Sequence, residues 1–358
     1  MRDGLPDPWR RRGCVKSDLN RVNRILIRGV NWVGDTLLTY PSVQRLKTLF
    51  PQSHIAVLVR EGLVDLWKTF PFVDEIISLH GSFWKDTRLC LSLRRREFDL
   101  AITFPRSFHS ALQIYLSRVP MRIGYQEEGR SVFLTHGIPR TEEVLRVHRI
   151  HYYGKLIEPL GQSGAPPSPR LFLREEDREW AEEGLGELGL LDGRPLIGMN
   201  PGATYGLAKC WYPDRFGELG KRLFKKWKAT VLLFGKEEER PIAKEVLGYL
   251  GKGGVDLTGK TRLLQLAAIL ERCQLLVTND TGTMHVGAAV GTPVVALFGS
   301  TDPITTGPWG DGHVVIRKEV PCSPCLKRVC PTAHQCMEMI GVEEVEEVIT
   351  HQLNRRAT

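Results

Sequence analysis

A chain of 358 residues is about twice the usual ~150-residue domain, so two domains, each with its own core, are expected. With 42% hydrophobic and 25% charged residues and no low-complexity tract, the composition excludes a disordered or fibrous chain. The net charge of +8 is uneven: residues 1–165 hold 25 Lys/Arg against 16 Asp/Glu, and residues 166–358 hold 24 against 25. The first half therefore either meets something anionic or simply carries a basic, soluble surface.

The longest apolar run, 286–298, is interrupted by Gly287, Gly291 and Pro293 and falls short of the ~20 residues a bilayer span requires, so no segment is expected to cross a membrane. Residues 1–23 contain Arg10, Arg11 and Arg12 with no apolar core behind them, which is a basic tail rather than a secretory signal. A cytoplasmic protein is expected.

Along the chain, β-branched apolar runs alternate with helical patterns, the signature of βαβ units and a parallel sheet. In a first domain, 24–161, strands are predicted over 24–30, 54–60, 74–79, 98–104 and 121–125, with helices over 35–50, 86–96, 107–119 and 148–160. Residues 162–170, rich in Pro and Gly, form a linker because that density blocks both helix and ladder. In a second domain, 171–358, strands are predicted over 195–200, 229–235, 255–258, 274–279 and 293–298, with helices between them. Two doubly wound halves result, and their ligands should lie beyond the carboxyl ends of the strands, in a cleft between them.

Four loops at strand ends carry candidate chemistry. Gly29 and Gly34, followed by Asp35 and Thr36, imitate a phosphate-binding loop in which the lysine has become a carboxylate. Asp35 is either a first-turn acid favoured by the helix dipole or a general base. The run Asn279-Asp280-Thr281-Gly282-Thr283-Met284-His285 enters a helix, where backbone N–H groups suit a diphosphate, although Asp280 would serve equally as an N-cap. A glycine-rich loop after the strand ending at Asn200 leads to Thr204 and Lys209, a cation able to meet a phosphate. Glu237, Glu238 and Glu239 follow another strand; one is a candidate ribose contact and the others a solvated helix start. Finally, Cys322, Cys325, Cys330 and Cys336, with His334 among them, are either zinc ligands in an uncommon spacing or reduced thiols.

The stretch 25–35, the loop 279–285, Phe104-Pro105-Arg106-Ser107-Phe108, Arg122-Ile123-Gly124-Tyr125 and Thr258-Gly259-Lys260-Thr261 together resemble the ADP-heptose:LPS heptosyltransferase family, the second heptosyltransferase above all. The resemblance runs from about residue 24 to 348 and implies a GT-B fold, α/β, of two Rossmann-like doubly wound parallel-sheet domains facing across a cleft. It implies inverting transfer of heptose from ADP-heptose to a Kdo-lipid A type acceptor at the anionic inner face of the inner membrane, the nearest alternative being a first or later heptosyltransferase or another inverting sugar transferase of the family. No nucleic acid, metal or other cofactor is required. Carried over residue by residue, Asp35 is the catalytic base, and Arg106 and Arg122 contact the acceptor. Thr204, Lys209, Glu239, Asp280, Thr281, Gly282, Thr283 and His285 bind the donor. The basic tail and the cysteine-rich segment 322–336 depart from the family pattern and are expected to lie apart from these motifs. A nucleotide-dependent oxidoreductase is disfavoured because neither half contains G-x-G-x-x-G, and a nucleic-acid-binding module because lysine, not Asp35, would suit phosphate at that loop.

Overall fold

The computed structural model describes residues 21–127, 129–161 and 164–357. Of the basic tail, residues 1–20 lie outside the described residues, as do Gln162 and Ser163 of the expected linker. The chain divides into two compact units, one ending at Pro167 and the other beginning at Ser168.

The first unit runs β1 (Arg24–Arg28), α1 (Val33–Leu49), β2 (His54–Arg60), α2 (Val64–Lys68), β3 (Glu75–Leu79), α3 (Phe83–Ser92), β4 (Leu100–Thr103), α4 (Phe108–Leu116), β5 (Met121–Tyr125), β6 (His136–Ile138), α5 (Glu142–Arg146) and α6 (Arg149–Gly154). All six strands are parallel, in the order β3-β2-β1-β4-β5-β6. Ile25, Leu26 and Ile27 of β1 are fully buried, as a central strand covered on both faces demands. Leu26, Ala56, Leu58 and Ala101 pack beneath Ala111 and Ile114 of α4. The helix predicted from residue 86 begins at Phe83 instead, and Asp86 turns inward to accept the His80 N–H at 2.7 Å.

The second unit repeats the plan: α7 (Glu175–Glu187), β7 (Leu196–Asn200), α8 (Pro213–Trp227), β8 (Thr230–Leu233), α9 (Arg240–Leu250), β9 (Gly254–Asp256), α10 (Leu263–Arg272), β10 (Leu275–Asn279), α11 (Gly282–Ala289), β11 (Val294–Phe298), α12 (Pro303–Thr306), β12 (Val314–Arg317), α13 (Gln335–Glu338) and α14 (Val342–Ala357). Its parallel sheet has the order β12-β11-β10-β7-β8-β9. Ile197, Val231, Val277 and Val295 form a core with Phe216, Leu219 and Leu223 of α8 and with Val345 and Ile349 of α14.

Each sheet thus has six strands, where the hydrophobic pattern predicts five; β6 and β12 are the additions. In both sheets the strand order reverses between the first and fourth strands, β1 beside β4 and β7 beside β10. Loops leaving those strands diverge to opposite sides, which opens a crevice suited to a ligand. Among the described residues, no helix is long and apolar enough to cross a membrane.

Candidate active site

In the first unit, the loop after β1 is held from below by Arg28. This side chain is buried, and its Nε donates to Gln113 Oε1 at 2.7 Å, its Nη1 to the Gly29 carbonyl and its Nη2 to Asn31 Oδ1 at 3.3 Å. Burial pushes the guanidinium down to about 10, and its hydrogen bonds fix the loop backbone. Gly29 is required there because a Cβ would run into Val59 and Trp67.

Asp35 is the third residue of α1, and the Tyr153 hydroxyl of α6 donates to its Oδ1 at 2.8 Å. Burial, reinforced by the neighbouring Asp35 charge, raises the pKa of the Tyr153 hydroxyl well above its ordinary value, so it stays protonated and a donor. Its ring packs edge-on against Phe104, at the end of β4, with centroids 5.5 Å apart. The carboxylate is therefore oriented by a group from elsewhere in the fold, which a helix-dipole role does not call for.

The loop after β4 carries Arg106, half-exposed and 3.8 Å from the Glu127 carboxylate, which also pairs with Arg140. Arg130, fully buried, donates to the Pro105 carbonyl at 2.8 Å and props this loop; burial pushes it down to about 10. Arg122 belongs elsewhere. It is the second residue of β5, toward the amino end of the strand, and its guanidinium donates to the carbonyls of Phe133 (2.6 Å), Val119 and Pro120 while lying over the Tyr115 ring. The structure does not bring Arg122 to the loops of Asp35 and Arg106, and its donors have a structural use.

In the second unit, the loops after β7 and β10 are laced together by two asparagines, one ending each strand. Asn279 accepts from the Trp211 N–H at 3.0 Å and donates to the Pro201 carbonyl at 2.8 Å. Asn200 accepts from the Thr281 hydroxyl at 3.2 Å and donates to the Phe234 carbonyl at 3.1 Å. This frame places Lys209 Nζ 2.5 Å from Asp280 Oδ2 and 3.3 Å from the Asp280 carbonyl, with the Tyr205 ring 5.0 Å away. Asp280 is not the N-cap of α11; that position is Thr281, whose side chain makes no capping bond. The first-turn N–H groups of α11, on Gly282, Thr283 and Met284, have no intrahelical partner by helix geometry and carry the positive end of the dipole. His285 is buried one turn further in, and Thr204 is exposed in the lysine loop.

Of the three glutamates, Glu239 is the one set against the lysine loop, since a Cβ on Gly202 would overlap its carboxyl group. One of its oxygens accepts the Lys236 N–H at 2.8 Å, whereas Glu237 turns away to Arg240.

The cysteine-rich segment does not lie apart from these motifs. The Arg328 carbonyl accepts the Ala208 N–H at 3.0 Å, the Leu326 carbonyl accepts the Tyr205 hydroxyl at 3.0 Å, and the His334 ring lies 3.1 Å from the Ala208 carbonyl. Arg328 also stacks over Tyr205. The segment is a brace on the lysine loop, and among the described residues no three metal-ligating side chains gather closely enough to share an ion.

Sequence reasoning missed Tyr153, Arg28, Arg130 and the two asparagines. The asparagines carried a signal, a recurring Asn at the end of the first and fourth strands of one sheet. Tyr153 carried none, being 118 residues from its partner.

A model of glycosyltransferase family 9 (heptosyltransferase) matches residues 87–335. The chain is 33% identical over 310 residues to the lipopolysaccharide heptosyltransferase 2 of Salmonella typhimurium, covering 82% of this chain and 88% of that protein. It is 32% identical over 305 residues to the lipooligosaccharide heptosyltransferase 2 of Haemophilus influenzae, with the same coverage. Among solved structures, the E. coli ADP-heptose LPS heptosyltransferase II superposes with a TM-score of 0.81 at 28% identity, covering 94% of this chain and all of that one. These likenesses carry the GT-B fold of two Rossmann-like domains, and the chain is a glycosyltransferase belonging to glycosyltransferase family 9, the heptosyltransferases.

Proposed function

We propose that this enzyme transfers L-glycero-D-manno-heptose from ADP-heptose to the heptosyl-Kdo2-lipid A inner core of lipopolysaccharide, with inversion. The observation that carries the reading is, within the second unit, a cation, Lys209, in the loop beside an uncapped helix start, and the first unit taken by itself adds a carboxylate, Asp35, oriented by a buried tyrosine. An acceptor hydroxyl oxygen bonds to the anomeric carbon as the bond from that carbon to the ADP oxygen breaks. The electron pair leaves on the β-phosphate, and Asp35 takes the hydroxyl proton. The growing negative charge is met by Lys209 and the N–H groups of Gly282 and Thr283, stabilisation of the kind that contributes most in such sites. Because those groups supply the positive charge, no metal is required in this reading, and turnover should survive a chelator.

Thr281, Thr204 and His285 would complete the donor site, with Glu239 accepting from the ribose and Arg106 facing acceptor phosphate. The basic first half fits an enzyme that works in the cytoplasm, peripherally at the anionic inner membrane face. Mass spectrometry of lipid acceptors of defined core length, incubated with ADP-heptose, tests the reading. It predicts a one-heptose mass gain only on the acceptor that already carries one heptose. A gain on Kdo2-lipid A itself would make the enzyme a first heptosyltransferase, and no gain on any acceptor contradicts the proposal.

A further inference from the structure

We propose that the outer face of α3, continued onto the start of α4, is the surface by which the first unit docks on an anionic bilayer; this rests on the peripheral reading above and names where the contact is made. Helix α3 buries Asp86 and Cys90, with Leu93 following, at i, i+4 and i+7. The opposite stripe, Trp84, Arg88 and Leu91, has the same spacing and faces water, with Trp84 74% exposed. Phe83, 50% exposed, packs edge-on against Trp84 at 5.2 Å and lies 5.5 Å from the His109 ring on α4. Phe108, the residue before His109, is also half-exposed and packs edge-on against Phe133 at 5.1 Å. The result is an aromatic ridge crossing two helices, larger than an isolated surface apolar residue and in need of an explanation.

The charges around the ridge select its occupant. Within residues 83–97 the exposed cations are Lys85, Arg88, Arg94, Arg95 and Arg96, and the one exposed acid is Glu97, because Asp86 is turned inward. Arg96 pairs with Glu75 and Arg94 donates to the Leu116 carbonyl. Among the described residues Lys85, Arg88 and Arg95 form no ion pair, so their charge is available to a partner. A second copy of the same face would set cations against cations. An anionic headgroup layer meets them with opposite charge while tryptophan and phenylalanine settle at the level between headgroups and acyl chains, where amphipathic rings are favoured.

Sedimentation of the full chain with phosphatidylcholine vesicles, and with vesicles containing about one third phosphatidylglycerol at low salt, tests this. Wild type should bind the anionic vesicles. The Trp84→Ser/Leu91→Ser double variant and, separately, Arg88→Glu should bind at least about tenfold more weakly. Both should keep wild-type turnover on a deacylated, water-soluble acceptor and lose it on the acceptor embedded in vesicles. Circular dichroism checks that each is folded, and Arg88→Glu, at an exposed position, carries the test if the double variant is not. Wild-type binding that both variants retain would overturn this surface and leave the peripheral reading standing. No binding by wild type at low salt would end both. Equal loss of turnover on the soluble acceptor would assign the ridge to acceptor binding instead, and a wild-type dimer broken by the double variant would assign it to a second copy.

Discussion

The Tyr153 hydroxyl sits 2.8 Å from Asp35 Oδ1, joining a buried tyrosine of α6 to the first turn of α1 across 118 residues of chain. If that hydrogen bond aims the carboxylate at the acceptor hydroxyl, Tyr153→Phe should lower kcat by about tenfold, because hydrogen bonds to charged groups contribute about 1.5–3 kcal/mol, of which part is felt in the transition state. The KM for the donor should hardly change. Steady-state kinetics in both substrates checks it, and a donor KM that moves with an unchanged kcat would contradict the positioning role.

The Lys209–Asp280 pair is nearly sequestered, with side chains 13% and 7% exposed. Lys209→Ala leaves the Asp280 carboxylate buried without its cation, a change that typically costs about 3–5 kcal/mol. The variant should therefore lose both thermal stability and ADP affinity. Asp280→Asn should be milder on stability, since a neutral amide still accepts from Lys209. Calorimetric ADP binding and thermal melts of the two variants separate the effects, and equal melting temperatures for Lys209→Ala and wild type would count against a structural pair.

The strands that were legible are those buried on both faces, such as β1 with Ile25–Ile27 and β10 with Leu275–Val277, whose β-branched or leucine-rich runs admit few other readings. Of the two edge strands not predicted, β6 is only His-Gly-Ile and leaves no hydrophobic pattern, whereas β12, Val-Val-Ile-Arg, carries a β-branched run that does signal a strand. The positions of Asp35, Lys209 and Asp280 were legible because each lies in the loop or helix start that follows a strand, after β1, β7 and β10 respectively. Arg122 was not, because its residue type is informative but its direction along β5 depends on which carbonyls the fold brings within reach. The same applies to the cysteine-rich segment, whose backbone contacts with Tyr205 and Ala208 span more than 100 residues.

His313 provides a pH test of the second unit. Burial pushes it below its ordinary value, with nearby Asp311 opposing more weakly, and its Nδ1 accepts the Val294 N–H at 3.2 Å, which demands the neutral ring. A depressed folded value means that the unfolded chain binds the proton first. The stabilisation is complete above about pH 6.5 and is lost as pH falls below it through the lowered value. His313→Asn keeps an acceptor for Val294 and removes the titration, so the fall in melting temperature over that window should flatten.

For the cysteine segment, protein purified without added metal should contain well under one zinc per chain, and Cys325→Ser should leave turnover intact. Stoichiometric zinc with collapse on chelation would make the cluster a structural site. The bracing contacts predict a separate outcome: His334→Ala should weaken ADP binding by several-fold through the Ala208 and Lys209 loop, measured by calorimetry.

The most direct test of the account is the steady-state rate of Asp35→Asn with its heptosylated lipid acceptor. Asparagine keeps the size and the acceptor oxygen for Tyr153 while removing the proton acceptor. The account predicts kcat reduced by about 10²-fold or more with ADP-heptose binding largely kept, since general-base contributions are typically 10²–10⁴. Turnover at the wild-type rate would contradict the proposed mechanism.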